Sequence, residues 1–479
     1  MALLTPVLLP IVGTHKKSPQ TDAETFVNLF AVKVGTDNRG NPIWDAYMRP
    51  GLRLKYQAPG NLGIRNIHPV AGKLFAVRGN TLSELDGGTM VSRGILASQG
   101  GLVGMSDNGQ EVIVVDGTKG YGYTLGMPGS FSEITGFPGG GNQAVFAASR
   151  IFSVGPGTNR VYNSALPELG GVFSWPSLNF VQKTSTSGPV TALASLGQIV
   201  FFLGPQGHEV WKDAGRPNTP LIRSASGSNI GISAAGSAAV YNQTVYWLGG
   251  QEGEGVVYAS SGGTPQRISN SQIEAIIAKI PGISDARAYI YQEEGQAHYI
   301  LSFMQGRTTL AFNLTMTAEE GWGLRVSRDP VTSELFQFIG ACQCSFGGMN
   351  LVGDYRNGNI YEMSLGLTSD NGDLIYWERA FPAEPQESQK LTTHKTFELM
   401  MDMGDGPLGE CEKETEVRLD YSENGGVSYM QLEPQKLGRQ GEYNKRLVWF
   451  GLGATIRRNY RISGTTDRKT ILRKAVVNV

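Results

Sequence analysis

The chain has few of the residues that build covalent or metal-held scaffolds: three cysteines and five histidines in 479 residues. Three cysteines cannot form a disulfide framework, and the Cys-x-Cys pair at Cys342 and Cys344 has no neighbouring histidine to complete a zinc motif. The histidines form no His-x-His or His-x-x-x-His group. The sequence therefore predicts no metal site and excludes a small disulfide-held domain.

Charge and long apolar runs are also scarce. Charged residues make up 17% of the chain and the formal net charge is −1, which argues against a protein that coats nucleic acid over its whole surface. No apolar run approaches the roughly 18–20 residues that a membrane helix needs, so no membrane span is predicted. A P-loop, a dinucleotide fingerprint and a Gly-x-Ser-x-Gly elbow are all missing, and we predict no cofactor, no catalytic residues and no enzymatic activity.

Glycine is abundant instead, with 64 residues, and it punctuates a short module that recurs along most of the chain. Each module is an apolar run, a turn rich in Gly, Asn or Asp, and a second apolar run. The first runs are Lys73–Val77, Val112–Asp116, Arg150–Val154, Gln198–Leu203, Gln243–Leu248, Ala297–Phe303 and Asn350–Gly353. The second runs are Thr81–Leu85, Tyr121–Leu125, Arg160–Asn163, His208–Trp211, Gly255–Ala259, Thr309–Leu314 and Asn359–Met363.

Successive modules start roughly 38 to 54 residues apart, close to the ~40–50-residue period of propeller blades. The chain also exceeds the roughly 250–300 residues that one core can hold, so an array with appendages is expected. We predict an all-β protein with a β-propeller of roughly six to eight small blades over residues 61–385. Residues 1–60 form a lead-in that docks on it, and residues 386–479 form a C-terminal β-sandwich-like domain.

One segment has helical spacing. Ser269–Ile280 places four isoleucines three and four residues apart behind a Ser/Asn cap, which predicts an amphipathic helix. Packing across the outside of two sheets is its expected role, and a partner-binding helix is the alternative.

The C-terminal part separates its charges. Acidic residues dominate Glu398–Glu416, whereas basic residues dominate from Arg439 onward. Such segregation favours contact between subunits or with a protein partner, and direct contact with phosphates is the alternative. The candidate interface residues are Lys445, Arg446, Arg457, Arg458, Arg461, Glu410, Glu412 and Glu414.

A glycan-directed function is the main competing hypothesis. Tyr421–Tyr429 is similar to the Asp-box hairpin of sialidases, with Asn424 where Asp is usual. Hydrolysis of glycosides needs two facing carboxylates. The adjacent pairs Glu293-Glu294 and Glu319-Glu320 do not supply them, because neighbours on a strand point to opposite faces. A propeller-type glycan-binding or sialidase-like tail protein is thus kept as the alternative function.

An ordered series of motifs resembles one family. Segments of the array and of both flanks are similar to the packaged-DNA stabilisation proteins of short-tailed bacteriophages, also called tail accessory factors, tail hubs or nozzles. The segments are FVNLF at 26–30, the Arg49-Pro50-Gly51 turn, Ile268–Ile280, Asp285–Phe303, Gly321–Arg325, Leu351–Ser364 and Gly441–Ile462.

The resemblance implies a structural virion protein. Members of such a family assemble, usually as hexamers, beneath the head-to-tail adaptor, retain packaged double-stranded DNA, form the ejection channel and anchor tail fibres or spikes and a needle or plug. For this chain it implies a homo-oligomer with those partners and no cofactor, located in the phage tail after assembly in the host cytoplasm. The residues that line the channel do not follow from the resemblance.

Overall fold

Strands dominate the computed structural model of the chain. It describes residues 6–9, 11, 24–60, 62–126, 129–138, 140–167, 173–250, 255–381, 391–402, 415–437 and 445–479. Among these residues there is one α-helix and one short 3-10 helix. No helix in the described ranges is long and apolar enough to cross a membrane.

The lead-in segment contributes five strands, which join different parts of the molecule. They are β1 (Pro6–Leu9), β2 (Thr25–Val27), β3 (Leu29–Thr36), β4 (Pro42–Met48) and β5 (Gly51–Gln57).

The propeller follows as antiparallel sheets in chain order, each running from an innermost to an outermost strand. Blade 1 holds β6 (Ile64–Val70), β7 (Lys73–Arg78), β8 (Thr81–Asp86) and β9 (Thr89–Ile95). Blade 2 holds β10 (Gly104–Asp107), β11 (Glu111–Val115), β12 (Gly120–Thr124) and β13 (Ser130–Glu133). Blade 3 holds β14 (Ala144–Ala147), β15 (Arg150–Val154), β16 (Arg160–Asn163) and β17 (Phe180–Gln182). Blade 4 holds β18 (Ala192–Leu196), β19 (Ile199–Gly204), β20 (Gly207–Asp213) and β21 (Leu221–Ser228).

The last three blades carry additions. Blade 5 holds β22 (Gly231–Ile232), a 3-10 turn (Ala235–Ser237), β23 (Ala239–Tyr241), β24 (Thr244–Gly250), β25 (Val256–Ser260) and β26 (Gln266–Arg267), followed by α1 (Ser271–Ile277). Blade 6 holds β27 (Arg287–Glu293), β28 (Gln296–Phe303), β29 (Thr308–Asn313), β30 (Trp322–Arg328) and the extra strand β31 (Leu335–Gln337). Blade 7 holds β32 (Gly340–Phe346), β33 (Met349–Asp354) and β34 (Asn359–Ser364), and β5 of the lead-in supplies its outermost strand.

The ring closes in the described part of the chain. Innermost strands β6, β10, β14, β18, β23, β27 and β32 each contact the next one, and β32 contacts β6 again. Pairing of β34 with β5 ties the two ends of the seven-blade ring together, with Ser364 opposite Gly51 and Asn359 opposite Gln57. The predicted propeller of six to eight blades is therefore confirmed.

The packing explains why the central strands are apolar on both faces. Val112, Val114 and Ile113 of β11 are fully buried, although successive side chains of a strand point to opposite sides. Each blade is covered by a neighbour on both sides, so both faces of its middle strands lie in a core. The turn-separated apolar runs of the sequence correspond to these middle strands.

The C-terminal strands complete a β-sandwich at the outer edge of blade 6. They are β35 (Ile375–Ala380), β36 (Thr392–Asp402), β37 (Glu416–Ser422), β38 (Met430–Gln431), β39 (Gln435–Lys436), β40 (Lys445–Thr455), β41 (Asn459–Thr466) and β42 (Ile471–Asn478). Sandwich sheet 1 has the order β3-β4-β42-β36-β40, with β1 also paired to β42. Sandwich sheet 2 is continuous with blade 6 through the order β30-β2-β35-β41-β37.

The sandwich core lies between these two sheets. Alternate residues Phe397, Leu399 and Met401 of β36 are fully buried and share one core cluster with Trp377 of β35 and Ile462 of β41. This inward alternation is that of an antiparallel sheet with one covered face. The predicted C-terminal sandwich is present, and strands from residues 6–48 also build it.

The predicted helix is present in a shorter form. It spans Ser271–Ile277, and the Asn270 side chain caps it by accepting a hydrogen bond from the Ile273 N–H. Ile273 and Ile277 are buried in a core cluster shared by blades 5 and 6. The helix therefore packs across two blades, which is the role that the sequence analysis expected.

Candidate functional site

The first candidate site is the axis of the propeller. We call the end at which each innermost strand begins the upper end, and the opposite end the lower end. At the upper end, the Leu102 side chain from the loop between blades 1 and 2 reaches Gly236 in the 3-10 turn of blade 5. A Cβ added to Gly236 would lie 2.9 Å from Leu102 Cδ2. Gln143, before blade 3, donates a hydrogen bond of 3.0 Å to the Ala235 carbonyl. Loops from different sides of the ring thus meet across the axis.

The buried Arg65 and the partly buried Arg287 hold this closure in place. The Arg65 guanidinium donates to the carbonyls of Gly79 (2.9 Å), Ser98 (2.8 Å) and Gly100 (2.5 Å). Arg287 of blade 6 donates to the Gly101 carbonyl at 3.1 Å. Burial lowers the pKa of Arg65 to about 10, and burial also lowers the pKa of Arg287. The guanidinium groups act as structural cross-links between loop 96–103 and two blades.

The lower end carries a hydrogen-bonded pair between neighbouring blades. His68 Nε2 of β6 lies 2.6 Å from Asp107 Oδ2 of β10, and both side chains are partly exposed. Burial alone would raise the pKa of Asp107, but the hydrogen bonds from His68 and from the Gly109 N–H outweigh it and hold the pKa below its usual value. The pair joins blades 1 and 2 at the axis.

The second candidate site is the junction between the propeller and the sandwich. Asn28 follows β2, is fully buried and has a φ of 55°. Its Nδ2 donates to the Val326 carbonyl of blade 6 (2.9 Å) and to the Tyr376 carbonyl of β35 (2.7 Å). Its Oδ1 accepts from the Val326 N–H (2.9 Å) and from Arg49 Nε (3.0 Å). One side-chain amide therefore bridges β30 of blade 6 and β35 of the sandwich at the point where β2 ends.

Arg49 extends this junction towards blade 7. Its guanidinium binds Asp370 through both carboxylate oxygens, with the Arg49 side chain only 2% exposed. Arg49 also donates to the Val326 and Pro50 carbonyls. Asp370 lies in the loop that leads from β34 of blade 7 to β35 of the sandwich. The bonds from Arg49 to Asp370 and Val326 therefore help to fix the orientation of the sandwich on the propeller.

The predicted charged interface residues are placed differently from one another. Arg446 pairs with Glu398 on the neighbouring strand at 2.9 Å, and Arg461 binds Asp420 at 2.6 Å. Arg458 is 5% exposed and binds Glu423 and the Leu452 carbonyl. Lys445 and Arg457 lie on the surface of the sandwich. Residues 410, 412 and 414 lie outside the described residues. The predicted role in contacts between subunits stays a prediction.

Charge reversal at the adjacent residues Arg457 and Arg458 should change the free energy of unfolding to very different extents. We expect Arg458→Glu to lower the free energy of unfolding by about 2–3 kcal/mol, because it removes charged hydrogen bonds and places a second carboxylate beside Glu423. Arg457→Glu, on an exposed side chain, should change it by about 0.5 kcal/mol or less. Urea unfolding of the two variants measures the difference, and equal losses would contradict the placement.

The carboxylate pairs of the glycosidase hypothesis do not converge. Glu293 accepts hydrogen bonds from Ser364 Oγ (2.8 Å) and the Leu365 N–H (2.7 Å), and burial raises its pKa. Glu294 lies in the following turn with a φ of 47°. Within the described ranges, no group of three or more His, Cys, Asp or Glu residues is arranged to hold a metal ion.

The Asp-box-like hairpin is held by its own turn. Asn424 Oδ1 accepts from the Ser428 N–H at 3.0 Å, and Ser422 Oγ accepts from the Gly426 N–H at 2.9 Å. Both polar side chains are used in folding the hairpin, which agrees with an ordinary structural hairpin.

A family model described as "Bacteriophage P22 Gp10, beta-propeller" matches residues 9–367, from the lead-in through blade 7. The chain belongs to this family. The Gp10 family is one of packaged-DNA stabilisation proteins, so the chain is a structural protein of a phage virion. The match spans all seven blades and most of the junction described above.

Other comparisons of this Gp10 family member show only distant likeness. No curated protein matches the chain. A computationally designed protein, Ika8, is 12% identical with a TM-score of 0.41 over 65% of this chain and 99% of its own. The N-terminal domain of Nup159 is 11% identical with a TM-score of 0.39 over 74% and 97%. A functionally unknown protein from Desulfotomaculum acetoxidans is 13% identical with a TM-score of 0.41 over 62% and 98%.

Sequence reasoning missed what two family motifs do. FVNLF and the Arg-Pro-Gly turn carry the family resemblance in the sequence, but their role does not follow from it. In the structure, Asn28 and Arg49 of these motifs form the centre of the junction. An asparagine among apolar strand residues, Phe26 to Phe30, was the available signal, because a buried amide needs partners for both its oxygen and its nitrogen.

Proposed function

We propose that this Gp10 family member forms a ring of copies, six in number, below the portal and adaptor of a short-tailed phage. The ring retains the packaged genome and later serves as its ejection channel. It also anchors tail fibres or spikes and a needle or plug. The protein is assembled into the virion in the host cytoplasm and acts without catalysis.

The observation that carries this proposal is the closed axis of the propeller. Leu102, Gln143 and Arg287 meet across its upper end. Double-stranded DNA, whose major groove alone is about 12 Å wide, cannot thread such a space. A family member that retains DNA then has to enclose it between copies of the chain, which a closed cyclic ring achieves.

The build of the subunit supports the same role. Seven blades, closed by β5, and a sandwich fixed by buried bonds at Asn28 and Arg49 make one stiff body. Stiffness suits a conduit under internal pressure. The laterally attached sandwich gives each copy a second surface, different from the propeller, and head-to-tail rings need two such surfaces.

Electron microscopy of the purified protein with its adaptor tests the proposal. We expect six-fold rings with a central opening, at micromolar protein concentration or upon addition of the adaptor. A protein that remains monomeric both alone and with the adaptor would overturn the ring. As a control for the glycan alternative, incubation with host surface polysaccharide should release no oligosaccharide.

A further inference from the structure

The outward face of sandwich sheet 1 carries five exposed or partly exposed apolar side chains among polar ones. Outward positions of an antiparallel sheet normally carry polar residues when the opposite face is in the core. Here β1, β42, β36 and β40 place aliphatic and aromatic side chains outward. They are Leu8 (62% exposed), Phe450 (75%) and Met400 (38%), with the partly exposed Val448 and Val476 between them.

Strand register makes these residues one continuous surface, which we call the outer face. Leu8 lies opposite Val476, Val476 opposite Glu398, and Glu398 opposite Val448. Phe450 occupies the next outward position of β40, two residues beyond Val448. An apolar surface spread over four adjacent strands is typical of an interaction site.

The carboxylate of the outer face, Glu398, already has partners. Glu398 binds Arg446 at 2.9 Å and accepts a hydrogen bond from Asn478 Nδ2 at 2.9 Å. Docking would therefore not bury an unpaired carboxylate, which is the costly case. The exposed Lys474 lies opposite Met400 on the neighbouring strand, so this side of the outer face is basic.

A matching surface lies on blade 6. The tip between β30 and β31, Asp329–Leu335, carries Val331 at 89% exposure together with the exposed Leu335 and Glu334. Asp329 Oδ1 accepts from the N–H groups of Val331 (2.9 Å) and Thr332 (2.8 Å), which fixes the turn. The tip therefore presents an apolar side chain beside acidic ones at little further cost in ordering.

We propose that the tip Asp329–Leu335 of one copy docks on the outer face of the next copy. This inference rests on the proposed ring function and names the contact that builds the ring. Apolar side chains meet, and Glu334 meets the exposed Lys474 beside Met400. The two surfaces differ, so the contact is head-to-tail and can close on itself.

Two variants and a matched control test the contact between the tip and the outer face. Phe450→Ser removes the centre of the outer face, Val331→Ser removes the apolar tip, and Leu178→Ser changes an equally exposed leucine (83%) of blade 3. We expect each of the first two to raise the concentration needed for assembly at least tenfold, as truncation of an interface anchor does, and the control to assemble like the unaltered protein. Sedimentation velocity measures assembly, and near-UV circular dichroism checks that all three are folded.

A mixing experiment identifies the occupant. Phe450→Ser copies keep an intact tip, and Val331→Ser copies keep an intact outer face. Equimolar mixing should give dimers and no rings, because one contact per pair is intact. Mixtures that stay monomeric, or a Val331→Ser variant that assembles normally, would overturn the proposed contact while rings of the unaltered protein would still support the proposed function. Absence of rings from the unaltered protein would overturn both.

Discussion

Asn28→Ala is expected to lower the free energy of unfolding by about 3–5 kcal/mol, among the largest effects available to a single substitution. The change deletes four hydrogen bonds and leaves the Val326 N–H, the Val326 and Tyr376 carbonyls and Arg49 Nε without this partner in a buried site. It also places alanine at a φ of 55°, a region that asparagine tolerates better. Chemical unfolding monitored by tryptophan fluorescence measures the loss.

Two further variants separate hydrogen bonding from the mere presence of asparagine. Asn28→Asp keeps an oxygen that accepts from Arg49 and Val326, but it loses both donor contacts and turns a carboxylate oxygen towards the Val326 and Tyr376 carbonyls, so its loss should be at least as large as that of Asn28→Ala. Asn41→Ala removes an exposed turn asparagine whose side chain bonds Asp37, and should change stability by about 0.5 kcal/mol. A loss below about 1 kcal/mol for Asn28→Ala would contradict the role of Asn28 at the junction.

The repeating strands could be predicted from the sequence because their signal is local. The run predicted at Lys73–Val77 forms Lys73–Arg78, and the run predicted at Gln198–Leu203 forms Ile199–Gly204. Apolar runs bounded by turn residues are set by neighbours in the sequence. The closure of such an array into a ring follows from the apolar faces that an open stack would leave uncovered on its first and last blades.

The assignment of the lead-in could not be worked out in the same way. β5 completes blade 7 by pairing with β34, more than three hundred residues later, and β2 pairs with β35 at a similar distance. Pairing between distant strands leaves no periodic trace in either strand. Residues 25–57 read as an appendage, whereas the structure divides them between the sandwich and the ring.

Charge counting had a different limit. The basic stretch beyond Arg439 supplied five of the candidate interface residues, yet Arg458 is buried and Arg461 is bound to Asp420. Composition gives the sign of the charges but not the side of the strand on which each lies. Residues 456–458 separate β40 from β41 within this stretch, and this break changes which side chains point inward.

Acidification is expected to destabilise the protein steeply, because three histidines are buried in neutral form. Burial lowers the pKa of His208, lowers that of His298 well below its usual value and lowers that of His394 to about 4. An unfolded chain binds these protons near pH 6.5, so it holds more protons than the folded chain as the pH falls below that value. The free energy of unfolding should be fully retained above about pH 6.5 and then fall by about 1.4 kcal/mol per pH unit for each histidine.

His298 allows this slope to be assigned. Its ring stacks on Tyr291 and meets the edge of Phe30, which joins blade 6 to the lead-in through aromatic contacts that phenylalanine can also make. We expect His298→Phe to reduce the slope of unfolding free energy against pH between about 6.5 and 5 by about one proton. Tyr299→Phe, which loses the hydrogen bond to the Ser237 carbonyl, should lower stability equally at every pH and keep the slope. Urea unfolding at several pH values measures both, and an unchanged slope in His298→Phe would show that this buried ring does not contribute to acid sensitivity.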